Sequence, residues 1–384
     1  MHSSLTWILG ILALLWIGLA MDVARGARLL PFLRDASPLP DSRCPSVSVL
    51  FAARDEAGKL PQSLETLLRL DYPRFEIVAV DDRSSDATGA ILVERASRDA
   101  RLKPVRVDSL PPGWLGKPHA LQCAYERSTG EWLVFTDADV HFRPDLLRRA
   151  VALAEQKGWD HITLLGRAEM YTFGEKIGMA FFGLALLVGT LPWKANDVRS
   201  RWYVGIGAFQ MIRRSVYERF GTHRRLAMEV IDDMKLGKLA KEAGGRSGAA
   251  RAEDGVSVHW HAGLRNMIRG TTKNFYAASG FKPWLTSLQI LGLLAMFVFP
   301  VAALPFVHGW ALAFALVASG LPLITEAGVA RGLGAPMGYA LSYPLGALLF
   351  AWMLARSMIV TLWQGGIIWR GTFYPLKELK RGVV

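Results

Sequence analysis

EWLVFTDADV, residues 131–140, runs apolar through Trp132–Phe135 and then presents Asp137 and Asp139 with one alanine between them. A short apolar run bounded by polar residues is the pattern of a buried strand. In open α/β sheets ligands gather at the carboxyl ends of such strands. Carboxylates that converge there repel unless a cation sits among them, and hard oxygen ligands suit Mg²⁺ or Mn²⁺. Such ions are commonly held by one or two carboxylates plus substrate phosphates, so the pair predicts a nucleoside diphosphate ligand.

The same grammar extends to either side. Val47–Ala53 (VSVLFAA) is a short strand-like run, followed by RDEAGKLPQSLETLLRL, where Pro61 opens a helix carrying Leu64, Leu67 and Leu68 on one face. Phe75–Val80 (FEIVAV) is a second buried strand, ending in DDRSSDAT, from which Ser85 or Asp86 can cap a helix through Ala96. A weaker strand lies at Val105–Val107, then a helix over Pro118–Arg127 and the strand Trp132–Thr136. RPDLLRRAVALAEQKG gives a further helix with Pro144 near its start and Gly158 as its stop. Strands separated by helical stretches predict an α/β fold, a mostly parallel sheet with helices on both faces. Asp81, Asp82, Asp137 and Asp139 all fall at strand ends.

The flanks belong to lipid. Hydrophobic residues make up 51% of the 384-residue chain. Residues 1–24 read as a transmembrane anchor, uncharged through Met21. Of the 78 charged side chains only eight lie in 285–384, which marks a domain boundary near 283. Leu285–Thr325 is 41 residues without a charge, about twice the ~20 needed per span, with Pro305 and Gly309 as a turn. Gly332–Ala355 is a third run of sufficient length, whereas Ser357–Trp369 is short and suits the interface. Arg25, Arg28 and Arg34 place the chain beyond the first span in the cytoplasm, and the basic tail 371–384 belongs there too. Those two demands require an even number of crossings between 283 and 370, while three candidates are visible. Either one is re-entrant or the short run completes a fourth.

The net charge of +12 is scattered, with no zinc-finger spacing or basic recognition helix, so it fits an anionic bilayer face and not nucleic acid. Cys44 and Cys123 are too few for a disulfide framework or a zinc site.

Taken in order, VSVLFAARDEA, VAVDDRSSDAT, PPGWLGKPHALQCA, FTDADV, GIGAFQMIRR and MEVIDDMKLGKLAKEAG resemble the motif series of membrane-bound family-2 glycosyltransferases with a GT-A fold, over residues 45–282. The lipid-embedded flanks and the late IIWRGTFYP are similar to the ceramide-glucosyltransferase-like and hopanoid- or carotenoid-associated branches. The resemblance implies a nucleotide-sugar donor, a UDP-sugar first, bound through Arg54, Asp55, Glu56, Asp81, Asp82 and Lys117. A lysine beside a helix N-terminus is also a good anion site on physical grounds. It further implies that Asp137 faces the ribose or metal, that Asp139 ligates Mg²⁺ or Mn²⁺, and that Gly205, Gly207 and Phe209 let backbone approach the sugar.

Inverting transfer needs a base to take the proton of the attacking hydroxyl. The family places it at an aspartate opening a helix. EVIDD offers Glu229, Asp232 and Asp233, and alignment on MKLGKL favours Asp233. Where processive relatives carry Gln-x-x-Arg-Trp, this chain has RNMIRG, residues 265–270: Arg269 keeps a cation for the leaving diphosphate, while Asn266 and Gly270 replace the glutamine and tryptophan. Single-sugar transfer to a membrane lipid is therefore expected over polymer synthesis. The uncharged Ile177–Trp193 is expected as an interfacial helix (about 174–193) at the acceptor entrance, since a crossing there would separate Asp139 from Asp233. The rival readings are a processive polysaccharide synthase and a non-catalytic sugar-binding or transport protein.

Overall fold

The computed structural model describes residues 2–384, with side chains from residue 4 onward. In chain order the helices are α1 (His2–Leu29), α2 (Leu60–Leu68), α3 (Thr88–Ala96), α4 (Gly116–Glu126), α5 (Leu146–Lys157), α6 (Phe173–Thr190), α7 (Pro192–Ala195), α8 (Arg214–Arg219), α9 (Asp232–Glu242), α10 (Leu264–Thr271), α11 (Asn274–Ala278), α12 (Pro283–Leu293), α13 (Phe299–Ala303), α14 (Gly309–Leu333), α15 (Tyr343–Gln364) and α16 (Leu376–Arg381). The strands are β1 (Val47–Ala53), β2 (Phe75–Asp82), β3 (Leu102–Val107), β4 (Trp132–Asp137), β5 (Val140–Phe142), β6 (His161–Leu165), β7 (Arg167–Ala168), β8 (Gln210–Arg213), β9 (Ser247–Arg251), β10 (Val256–Val258), β11 (Gly366–Trp369) and β12 (Thr372–Pro375). The chain divides into two compact units, one built from residues 30–167, 192–259 and 368–384, the other from residues up to Leu29, 168–191 and 260–367.

The first unit is an α/β domain around a seven-stranded sheet of order β3-β2-β1-β4-β8-β6-β9. All pairings are parallel except those of β8, which runs antiparallel to both β4 and β6. Alternate residues of a strand point to opposite faces, and both faces here are covered. Val49, Phe51, Ile77 and Val134 pack into one core, Leu50, Val78, Val80, Leu133 and Phe135 into the other. That double burial is why these strands read as nearly continuous apolar runs, broken only by Ser48 and Glu76 ahead of their polar carboxyl ends. Register does the rest. Ala53 lies opposite Asp81 and Ala52 opposite Asp137, so β1, β2 and β4 end level and deliver their acids to one edge.

Some local expectations shift. The N-cap of α3 is Ala87, and Asp86 instead accepts the Thr88 N–H and hydroxyl from one turn position earlier. Strand β3 begins at Leu102: at the sheet edge it tolerates the exposed Lys103 and Arg106, which pair with Glu76 and Asp81 of the neighbouring β2. The glycine-rich stretch Gly205–Phe209 is a loop leading into strand β8 at Gln210. Gly158 ends α5 in the left-handed region, as expected of a C-cap glycine.

The second unit is helical. Among the described residues five stretches are long and apolar enough to cross a membrane: Ser4–Leu29, Phe173–Ala195, Pro283–Phe306, Gly309–Leu333 and Met337–Gln364. Leu12, Ala13 and Trp16 of α1 pack with Phe181, Phe297, Ala318 and Ala347. Ser357–Trp369 is not a separate interfacial segment: its first half completes α15, which Gly365 caps, and its end is β11. Arg356 lies within the helix and donates to the Thr272 hydroxyl, so a charge that resembles a boundary is absorbed.

Candidate active site

The level ends of β1, β2 and β4 form the floor. Loops beyond β1 and β2 are laced together: Asp55 N–H donates to Ser84 Oγ at 3.1 Å, Glu56 N–H to Thr88 Oγ1 at 2.9 Å, and Ser85 N–H to Asp55 Oδ1 at 2.8 Å. That last bond holds the Asp55 carboxyl below the usual range. Asp55 itself has φ +54°, uncommon for a residue with a side chain and found where surrounding structure fixes it. Beside it the buried Arg54 Nε has no hydrogen-bond partner.

Asp81 and Asp82 are buried, and each meets an arginine that sequence reading missed. Arg106 Nη1 reaches Asp81 Oδ2 at 2.5 Å, and Arg83 bridges both oxygens of Asp82 at 2.7 and 3.0 Å. Gly89 and Gly116 leave these carboxylates room, since a Cβ at either would stand 2.5–2.6 Å from an Asp oxygen.

Past β4 the backbone turns sharply. Ser63 Oγ on α2 donates to the Ala138 carbonyl and Thr136 Oγ1 to the Ala208 carbonyl, fixing the turn from both sides. Lys117 Nζ, in the first turn of α4, sits 2.7 Å from Asp137 Oδ1 and 3.9 Å from Asp232 Oδ2. Burial alone would lower that ammonium's pKa, but the Asp137, Asp232 and Asp233 carboxylates override it and hold the lysine charged. Lys59 Nζ pairs with Asp139 Oδ2 at 2.7 Å. The only sequence sign of Lys59 is its place just past the β1 loop.

The start of α9 closes the site. Asp233 is held through both oxygens, Oδ2 accepting from Gly207 N–H at 3.0 Å and Oδ1 from Met234 N–H at 2.8 Å. A Cβ on Gly207 would lie 2.8 Å from Asp137 Oδ2 and 3.3 Å from Asp233 Oδ2, so the two carboxylates converge on that glycine. Gly205 is equally constrained, its Cβ position being 2.1 Å from the Asp233 carbonyl. Phe209 is fully buried and packs edge-on against Phe142. Asp232 is buried, whereas Asp233 keeps partial exposure. Glu229 is buried, its carboxyl pushed up by burial and accepting the Ile231 and Val384 N–H groups.

Of the candidate residues, Arg54, Asp55, Glu56, Asp81, Asp82, Lys117, Asp137, Asp139, Gly205, Gly207, Phe209, Asp232 and Asp233 all belong to the α/β unit, and Arg269 belongs to the helical one, in the last turn of α10. Trp260 packs against Phe182 at 4.7 Å in an apolar cluster.

Residues 48–221 match the sequence profile described as glycosyl transferase family 2. Over those residues, which are under half of it, the chain matches a family 2 glycosyltransferase domain. Over 250 residues it is 27% identical to a 4,4'-diaponeurosporenoate glycosyltransferase of Staphylococcus haemolyticus, spanning 64% of this chain and 65% of that one. A beta-monoglucosyldiacylglycerol synthase of Synechocystis sp. is 37% identical over 119 residues, 30% of this chain and 24% of its own length. The match thus covers less than two thirds of each of these relatives. Among solved structures, the mannosyltransferase PcManGT from Pyrobaculum calidifontis, in complex with GDP-Man and Mn²⁺, superposes with a TM-score of 0.55 over 94% of this chain and 99% of that one, at 22% identity. The glycosyltransferase domain therefore has the GT-A fold, which the antiparallel β8 within a parallel sheet already describes.

Proposed function

We propose that this chain moves one sugar from a nucleoside-diphosphate sugar, a UDP-sugar first, to a hydroxyl of a membrane lipid, with inversion. The observation that carries the reading is the convergence of Asp137 and Asp233 on Gly207 beside the charged Lys117. Asp233 acts as the general base. Its two backbone N–H donors fix its orientation, and its partial exposure lets an acceptor hydroxyl reach it, while buried Asp232 serves to hold Lys117. Arg54, Asp55, Glu56, Asp81 and Asp82 bind the nucleoside side, and Lys117 the diphosphate.

A divalent cation fits the donor set. Asp137 ends β4 and Asp139 lies in the turn just past it, and each already accommodates an ammonium at 2.7 Å, so positive charge is favoured beside both. Mg²⁺ or Mn²⁺ bound there would stabilise charge on the departing diphosphate. Arg269 is the further cation proposed for that leaving group. The names of the relatives, a diaponeurosporenoate glycosyltransferase and a monoglucosyldiacylglycerol synthase among them, support a lipid acceptor.

Connectivity supports the lipid setting. Residues on both sides of α6 belong to one sheet, β6 pairing with β8, so a single full crossing by α6 is disfavoured and it lies along or dips into the bilayer. Likewise 192–259 and 368–384 share the α/β unit, which sits on the cytoplasmic side by the positive-inside rule. The crossings between them are then even in number, and one of the three apolar stretches in 283–364 does not cross from end to end.

The test is nucleotide release by the full chain in detergent, with a panel of UDP- and GDP-sugars, Mn²⁺ or Mg²⁺, and extracted membrane lipid. Metal-dependent, lipid-stimulated release from one donor is expected. A folded protein that releases nucleotide from none of them refutes the reading.

A further inference from the structure

The hairpin joining β11 to β12 turns through Arg370 and Gly371, whose φ angles of +50° and +77° are the positive values a two-residue turn of this hand requires. Glycine or asparagine would be the easy choice at the first position; an arginine there is held by its contacts. Nη1 donates to the Arg54 carbonyl at 3.0 Å and Nη2 pairs with the Glu56 carboxylate, 314 residues away in sequence. Four residues on, the Tyr374 hydroxyl accepts from Gly116 N–H at 3.3 Å, at the N-terminus of α4 and next to Lys117. Tyr374 also neighbours Arg83, the partner of Asp82.

Both contacts thus fall on segments proposed to bind the donor, and the inference rests on that proposal. A guanidinium fork and the first N–H groups of a helix are the groups proteins use to bind phosphate. Here a carboxylate occupies the one and a phenol oxygen the other, and a phosphate oxygen can replace either acceptor in kind. The Arg370 side chain is 47% exposed against 16% for Glu56, so the guanidinium keeps an accessible side while its partner is enclosed.

We propose that Arg370 is a donor-binding residue: its guanidinium exchanges the Glu56 carboxylate for the diphosphate of the bound nucleotide. Glu56 holds the fork in position until the donor arrives. The hairpin thereby makes a segment far along the chain part of the donor site.

Calorimetric titration of the full chain in detergent with Mn²⁺, using UDP and uridine as separate probes, tests this. Arg370→Ala should weaken UDP binding by about ten- to a hundredfold, the loss of one charge-assisted contact, and leave uridine affinity within about twofold, with Arg370→Lys between the two. Unchanged UDP affinity overturns the proposal. So does a parallel loss of UDP and uridine, which makes Arg370 a clamp on the Arg54–Glu56 segment. If the wild type binds GDP and not UDP, the same comparison is made with GDP and guanosine. A folded wild type that binds neither diphosphate sinks the donor assignment, and the proposal with it. Melting temperatures of the variants within a few degrees of wild type separate all of these outcomes from misfolding.

Discussion

Gly207→Ala should separate activity from stability. The added methyl would stand 2.8 Å from Asp137 Oδ2 and 3.3 Å from Asp233 Oδ2, where contacts below 3.0 Å force a shift. Asp233 cannot give easily, because its other oxygen is held by Met234 N–H at 2.8 Å and its carbonyl is packed on Gly205. Asp137 must move instead, by about half an ångström to reach ordinary contact, pulling against its 2.7 Å bond to Lys117. Gly207 is not in the left-handed region, so alanine costs no backbone strain, and the smaller entropy of the unfolded chain returns about 0.4–1 kcal/mol. The melting temperature should therefore change little. Displacement of a reacting constellation by about 1 Å can cost 10²-fold in rate, so a loss of roughly ten- to a hundredfold in kcat is expected from half that shift. Nucleotide release measured alongside thermal unfolding is the assay. Gly205→Ala is the contrast: its Cβ meets backbone at 2.1 Å, which cannot swing away, and about 1–3 kcal/mol of destabilisation is expected. Wild-type kcat in folded Gly207→Ala, or a loss of rate that merely tracks a fall in melting temperature, would refute the reasoning.

Asp233→Asn keeps an acceptor for Gly207 N–H and removes the base, so kcat should drop by about 10²–10⁴-fold with the fold intact; Asp232→Asn, if as active as wild type, confirms the division of roles, and the reverse ranking overturns it. Asp139→Ala should abolish the metal dependence of nucleotide release, and retained Mn²⁺ stimulation would remove Asp139 from the metal site. Stability should fall on mild acidification. His161 and His223 are fully buried, and burial pushes their pKa values to about 4 and about 3, Gln210 partly offsetting it for His161 and Lys117 adding to it for His223. Because the unfolded chain takes up these protons near pH 6.5 while the folded one does not, stability is complete above pH 6.5 and is lost as pH falls from there toward 4 and 3. Between pH 6.5 and 5, before most carboxylates titrate, His161→Gln should flatten the decline in melting temperature; a wild type with no decline in that window contradicts the burial argument.

The sheet is legible in the sequence because burial on both faces leaves its strands mostly apolar, and β1, β2 and β4 show this, with only Ser48 and Glu76 polar before the acids and Thr136 at their carboxyl ends. The gathering of Asp81, Asp82, Asp137 and Asp139 is legible too, since the carboxyl ends of the strands in a parallel sheet fall on one edge. Register itself is not written locally. Nothing near Lys59 announces that its ammonium reaches Asp139, 80 residues on, and nothing near Arg370 announces Glu56. Ion pairs of this kind are decided by tertiary placement. Helix ends in the apolar stretches escape the sequence for a related reason. Charges suggest boundaries there, whereas Gly334 and Gly365, both with positive φ, end α14 and α15, and Arg356 lies inside a helix beside Thr272.

Gly270 shows how a departure from a motif can conceal a compensating residue. The sequence presents it as the loss of an aromatic residue. In the structure the His261 ring lies where a side chain at 270 would begin, its Cε1 2.3 Å from the position of a Cβ. His261 in turn stacks at 4.6 Å on Trp260, which packs on Phe182. Any residue larger than glycine at 270 would have to displace that ring and disturb the cluster behind it. The absent tryptophan and the present histidine are therefore coupled through one volume of space. Restoring tryptophan at position 270 alone would create a clash, so a test of its role in this chain needs His261 reduced to alanine in the same variant.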